Sequence, residues 1–403
     1  MESRELTLHP NLDQYKKQAK DLLKAWKAQD SKAIERVTRW HPHARELSEP
    51  ALADAQLVLA REHSFESWPR FSKCVQELAQ ANSRFAEFER AVEAVVTGDA
   101  TVLGEILHLH PGLIRAQSPR EHHATLLHYL SANGVEDYRQ KTPQNAVEIA
   151  TMLLDAGAEV DAVADAYGKG TALGLTATSI HPLRVGVLVP LLELLLSRGA
   201  SIDGAPGGWN IVNACLANGR KFGSEFIASR GGTLDLEGAA GVGRLDLVQS
   251  FFNEDRSLKS NATKTQMESG FIWACEYGRA DVADFLLGMG IDRNTTRQHK
   301  LTGLHWAVAS GDLDTVKAVL QHKPPLEARN VWGGTPLGGS IWAATECDPH
   351  DPVWPKADWV PIMEVLLQAG ANVGAVEYPT GDSRVDEVLR RYGAGETEAR
   401  NTH

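Results

Sequence analysis

The sequence predicts an all-α fold: a solenoid of helix–turn–helix units with short β-hairpin turns, preceded by a small helical domain. Three observations carry that expectation. Thr302-Gly303-Leu304-His305-Trp306-Ala307 reads as a capped helix start, and Gly311-Asp312 turns the chain into a second helical stretch, Leu313 to Leu320. The same order of residue types recurs about 33 residues earlier, in Ser269 to Gly278 followed by Ala280 to Leu287. Second-helix endings also repeat, at Met152-Leu153-Leu154-Asp155-Ala156-Gly157-Ala158, Leu194-Leu195-Leu196-Ser197-Arg198-Gly199-Ala200 and Val365-Leu366-Leu367-Gln368-Ala369-Gly370-Ala371.

From the N-terminus, residues 1–80 hold four amphipathic segments, at 11–29, 31–40, 50–62 and 67–79. The first sets Leu12, Tyr15, Ala19, Leu22, Leu23 and Trp26 at helical spacing. Lys16, Lys17, Lys20, Lys24 and Lys27 fall outside that stripe, as a solvated face or a contact for an acidic partner. Ser67 before Trp68-Pro69 reads as a cap followed by a first-turn proline. Repeat units follow over 81–378. A degenerate one runs from Phe85 to Leu107, and starts fall at Thr125-Leu126-Leu127-His128-Tyr129, Thr171-Ala172-Leu173-Gly174 and Thr335-Pro336-Leu337-Gly338. Weaker copies occupy 210–232 and 236–252. Residues 379–403 close the chain with a capping helix at 383–392 and a tail.

These motifs resemble the ankyrin repeat, in which a Thr-x-Leu-His start, a glycine turn and a helix ending in Leu-Leu succeed one another. The resemblance covers roughly residues 85 to 376. It implies that the position after the histidine, Trp306 here, faces a concave groove used to bind protein partners. Asn11 to Lys20 and Ser64 to Pro69 are similar to the helical leader of bacterial ankyrin arrays, which suggests a cap over the first repeat and no activity of its own; an independent recruiting domain is the alternative. Single units cannot cover their apolar faces, so stacking must complete the core. Small residues beside the free positions (Cys215, Ala274, Cys275, Ala307) fit closely approaching helices.

Composition narrows the function. A formal net charge of −11 argues against a nucleic-acid surface. The longest apolar run, Val185 to Leu196, is too short to span a bilayer and carries Glu193, so no membrane association is expected. Cys74, Cys215, Cys275 and Cys347 form no CxxC pair, which points to buried thiols in the cytoplasm. No cofactor motif, phosphate loop, nucleophile elbow or HExxH is present. Metal donors crowd at Cys347-Asp348-Pro349-His350-Asp351, Glu121-His122-His123 and His108-Leu109-His110 without metal-site spacing, and no metal is expected. His128 and His305 read as helix-start histidines, and no catalytic residue is assigned.

Departures from the repeat mark the candidate binding surface. Extra residues separate first from second helices at 135–143 (with Tyr138 and Arg139), 179–190 and 346–361 (with Trp354 and Trp359). Insertions at one structural point would line one edge as a wall. The free positions run Tyr129, Leu175, Ala214, Gly238, Trp273, Trp306 and Gly339, aromatic on both flanks with small residues between. Trp209, Asn213, Asn218, Glu237, Glu276 and Tyr277 would add polar groups, and Trp342 a further aromatic. The leading expectation is a non-catalytic scaffold holding a protein partner. The alternative is a pocket between Trp273, Trp306 and the 346–361 insertion that binds a small apolar or aromatic ligand or is enzymatic, with Glu276 as acid or base.

Overall fold

Many helix starts in this chain are fixed by side chains that accept the first free backbone N–H groups. The computed structural model describes residues 3–6, 10–47, 49–80, 83–347 and 356–395. It divides into two units, Met1–Ala214 and Cys215–His403.

The first unit opens with α1 (Leu12–Lys27), α2 (Ser31–Trp40), α3 (Leu52–Glu62) and α4 (Trp68–Leu78), the four segments the amphipathic pattern predicts. Asn11 Oδ1 accepts the Asp13 N–H at 2.9 Å and Asp30 Oδ1 that of Ala33, also at 2.9 Å. Ser67 holds the cap position of α4 in extended backbone, but its hydroxyl caps nothing; Pro69 in the first turn sets that start. Tyr15 packs edge-on to Phe71, with ring centroids 4.9 Å apart, inside a core that includes Trp26, Phe65 and Val75. Glu62, 1% exposed, is held by Arg36 and, at 3.6 Å, Arg4.

Helix pairs follow: α5 (Arg84–Thr97) with α6 (Ala100–Leu109), and α7 (Leu126–Tyr129) with α8 (Ala146–Asp155). A hairpin of β1 (Val163–Ala164) and β2 (Gly170–Thr171), with Val163 opposite Thr171, leads to α9 (Ala172–Ala177). The short α10 (His181–Arg184) separates α9 from its partner α11 (Leu188–Ser197), and the division between units falls inside α12 (Ile211–Ala217). First helices α5, α7 and α9 stack in turn, as do α6, α8 and α11. The insertion at 135–143 turns inward. Arg139 and Glu136 are buried and join Arg120 and Glu89 in one ionic cluster, with Arg120 Nη1 to Glu89 Oε1 at 2.6 Å, Arg120 Nε to Glu136 Oε1 at 2.7 Å and Arg139 Nη2 to Glu89 Oε2 at 2.8 Å. Arg120 also lies over the rings of Phe65 and Phe85, 5.4 and 5.8 Å from their centroids, tying the leader to the first pair.

The second unit continues with α13 (Lys221–Ser229), α14 (Leu236–Gly241), α15 (Leu245–Ser250), α16 (Lys264–Glu276) and α17 (Ala280–Gly288). The hairpin β3 (Thr296–Arg297) and β4 (Leu301–Thr302) precedes α18 (Gly303–Ala309) and α19 (Leu313–Gln321), then α20 (Pro336–Glu346), α21 (Trp359–Gln368) and the terminal α22 (Ser383–Arg391). Inner helices α14, α16, α18 and α20 pack in succession, and so do outer helices α15, α17, α19 and α21. Gly278 and Gly311 reverse the chain between inner and outer helices, both at φ 71°. The inner helices approach so closely that a Cβ on Gly303 would lie 2.4 Å from Phe271 Cζ.

Each helix-start histidine also links one repeat to the next. His305 Nδ1 accepts the Thr302 N–H at 3.2 Å, and its Nε2–H donates to the Gly334 carbonyl at 3.2 Å. His128 repeats this with Thr125 and the Ala162 carbonyl. One sequence register needs correction. Ser269 aligns with Thr302 yet lies inside α16, because Thr263 and Gln266 form a reciprocal capping box six residues upstream.

Candidate partner-binding face

The second unit's inner helices set the site. Trp273 on α16 and Trp306 on α18 occupy equivalent positions, but with different exposure: Trp273 is buried and Trp306 half-buried. The difference comes from β3, which lays the Arg297 guanidinium 4.7 Å above the Trp273 ring. Glu276 stands half-buried one turn after Trp273. Burial raises its carboxyl to about 7, against the opposing pull of the Tyr277 hydroxyl and Arg297. Glu237 on α14 is raised as well, by burial and by the Asp235 charge, while Ser269 and Arg297 act the other way. Arg297 therefore sits within the field of two carboxyl groups and on an indole.

Two donors here are unspent. Arg297 Nη1 and Trp306 Nε1 are buried atoms without a hydrogen-bond partner. Leaving such a group unpaired in the interior costs about 1–3 kcal/mol.

The remaining sequence candidates are distributed as follows. Tyr277 is buried on the same unit, its hydroxyl donating to the Leu216 carbonyl. Trp342 on α20 is exposed, and Trp359, the first residue of α21, is buried. Trp354 and the stretch 348–355 lie outside the described residues. In the first unit, Tyr129 and Leu175 are wholly buried, and Tyr129 has its hydroxyl 3.5 Å from Glu136 Oε1. Arg139 lies in the ionic cluster with its guanidinium over the half-buried Tyr138 ring. Trp209 packs against Gly174, where an added Cβ would be 2.9 Å from the indole, and Asn213 is half-buried near it in sequence on α12. The structure thus joins Trp273, Glu276 and Trp306 on one unit, and it turns Tyr129, Leu175 and Arg139 into the interior of the other.

Sequence reasoning passed over Arg297 and the hairpin tips. Trp332 is 70% exposed and stacks obliquely on His299 of the preceding tip, 4.8 Å between centroids. The Val331 N–H donates to the His299 carbonyl at 3.0 Å, which couples the two tips. A tryptophan inside the turn sequence Asn330-Val331-Trp332-Gly333-Gly334 was the available signal.

Residues 236–344 match the family model for ankyrin repeats, in three copies. The fold is mostly helical, 57% helix and 3% strand, with ankyrin-repeat units over the matched residues, and ankyrin repeats are in general protein–protein interaction modules. Among solved structures, the crystal structure of the human ASB11 ankyrin repeat domain is 17% identical, covering 70% of this chain and 98% of that one, at a TM-score of 0.35. No curated protein matches the chain. Among the described residues, no helix is long and apolar enough to cross a membrane.

Proposed function

We propose that this protein is a non-catalytic recognition scaffold of the bacterial cytoplasm that holds a protein partner on the inner-helix face of its second unit. The observation that supports the reading is the half-buried Trp306 on α18, on the same unit as the exposed Trp332 and Trp342 and the Arg297 guanidinium. A face that mixes guanidinium, indole and carboxyl groups complements a peptide segment, with its alternating carbonyls and N–H groups, better than it does an apolar molecule. The exposed Trp332 and Trp342 extend the surface. Residues 1–80 serve as the cap of the first repeat, and the helix Ser383–Arg391 closes the last.

The competing reading is a small-molecule or enzymatic pocket. Its support is the Glu276 carboxyl, raised to about 7 and so suited to proton transfer near neutral pH.

Affinity capture from native lysate with the full chain as bait tests the proposal. Trp306→Ala/Arg297→Ala is compared with wild type, and thermal melts confirm that both are folded. Anchors of this kind contribute about 2 kcal/mol or more each, so recovery of the wild-type partner should fall by at least about tenfold. Equal recovery by both baits would refute the face. Trp273→Ala is a poor probe, because emptying a buried tryptophan site costs about 3–5 kcal/mol of stability.

A further inference from the structure

Helix α1 of the leader buries Tyr15, Ala19, Leu22 and Trp26 and turns the rest of its surface outward. Five of the chain's 16 lysines lie on this one helix of 16 residues, and all five are exposed. Residues 1–80 hold 13 basic and 12 acidic side chains, so the net charge of −11 resides in residues 81–403. Lys17, Lys20, Lys24 and Lys27 follow one another at spacings of three, four and three residues. At about 3.6 residues per turn they fall within an arc of about 80° and extend about 15 Å along the helix axis.

Helix chemistry accounts for only part of this row. Lys24 and Lys27 stand in the last turn, where a cation meets the negative end of the helix dipole. Lys16, beside the row, pairs with Asp13 at 3.0 Å. Lys17 and Lys20 lie mid-helix, and among the described residues neither forms an ion pair. Lys20 is the extreme case. Its neighbours four and three residues before it and four after it are Lys16, Lys17 and Lys24, and like charges at those spacings destabilise a helix. The carboxylate best placed to offset them, Asp21, is exposed and forms no ion pair among the described residues. Unpaired like charge gathered on one face is relieved by an external anion, and the form of the face selects which kind. Every exposed residue of α1 is polar or charged, so no apolar side chain is there to enter a lipid surface. No aromatic ring stands among those exposed residues, which leaves nothing to stack on a base. A straight row at helical spacing matches carboxylates carried at the same spacing by a second helix, the way paired helices match charge along a seam.

We propose that the lysine row of α1 docks an acidic helix of a partner protein. This contact is separate from the face on the second unit, and its test does not depend on that reading. Fluorescence anisotropy of the full chain at low salt tests it. The probe is a rhodamine-labelled, alanine-based helical peptide that carries glutamates at the spacing of the row. Its glutamine counterpart, a labelled oligothymidylate and phosphatidylserine vesicles are compared with it. The glutamate peptide should bind, with affinity falling as salt is raised, and the glutamine peptide should not. Lys17→Gln/Lys20→Gln should weaken binding by about tenfold while the chain stays folded, since lysine and glutamine have similar helix propensities. Lys17→Arg/Lys20→Arg keeps the charge and should bind as wild type does. Lys259→Gln/Lys264→Gln, at exposed lysines of the second unit, should stay within about twofold. The proposal fails if the glutamate peptide does not bind, or if the glutamine peptide binds as well. It fails equally if Lys17→Gln/Lys20→Gln loses less than about threefold, or no more than the Lys259/Lys264 variant. Tighter binding of the oligonucleotide or the vesicles would assign the row to that surface and overturn the proposal.

Discussion

At the residue scale, the buried cluster of Arg120, Glu89, Glu136 and Arg139 governs the first unit. Its two cations and two anions balance, and hydrogen bonds at 2.6–2.9 Å compensate much of the cost of desolvation. Glu89 illustrates the balance: burial pushes its carboxyl up, but Arg120 and Arg139 together hold it below the usual range. Removing one partner leaves a charge uncompensated in the core. Arg120→Met should therefore destabilise the chain by about 3–5 kcal/mol in chemical denaturation, whereas the same change at exposed Arg115 should cost little. A small loss at Arg120 would mean that the cluster is solvated and interacts weakly.

At the scale of the element, the inner helices explain what could be read in advance and what could not. Capping is local, so Thr302 and Thr335 announce their helices from a few residues of sequence. The start of α16 lies six residues before the point that the 33-residue period marks, because the capping box of Thr263 and Gln266 sets it. The ionic cluster was invisible for a different reason. Glu89 and Arg139 are 50 positions apart, and charged residues in a single sequence read as surface until the fold pairs them. The same blindness hid Arg297 over Trp273, so the candidate face was half legible: its tryptophans could be named, but not the guanidinium that buries one of them. Helix spacing gives a sharper test. At Gly303 an added methyl would meet Phe271, itself 1% exposed and unable to withdraw; at Gly339, on the next inner helix, nothing lies within 4 Å. Gly303→Ala should cost about 1–3 kcal/mol by overpacking, and Gly339→Ala should gain up to about 1 kcal/mol from helix propensity. Thermal melts of the two variants should move in opposite directions.

At the scale of the whole molecule, burial assigns opposite pH dependences to different parts of the chain. In the first unit, burial lowers His63 and His128 to about 4, against the pull of their backbone hydrogen bonds. Their ordinary value is 6.5, so between 6.5 and 4 the unfolded chain binds protons that the folded chain refuses. Stability is therefore present above 6.5 and is lost as the pH falls. His305 in the second unit is lowered too and has the same sign. Glu276 has the reverse sign. Its carboxyl is raised from 4.5 to about 7, so the folded state binds the proton more tightly, and stability is lost as the pH rises through that window. Moving from about pH 7 to about pH 5 should cost each of His63 and His128 about 2 kcal/mol and return about 2 kcal/mol at Glu276. Because repeat units exchange energy chiefly with their neighbours, these effects should stay local. Hydrogen exchange read by mass spectrometry, corrected for intrinsic rates, should then lose protection around α3, α7 and α18 on acidification and gain it in α16. Glu276→Gln should abolish the gain in α16 and leave the losses in the first unit unchanged. Uniform loss in every helix, unaltered by that substitution, would show that Glu276 is solvated and that its burial does not control the stability of this face.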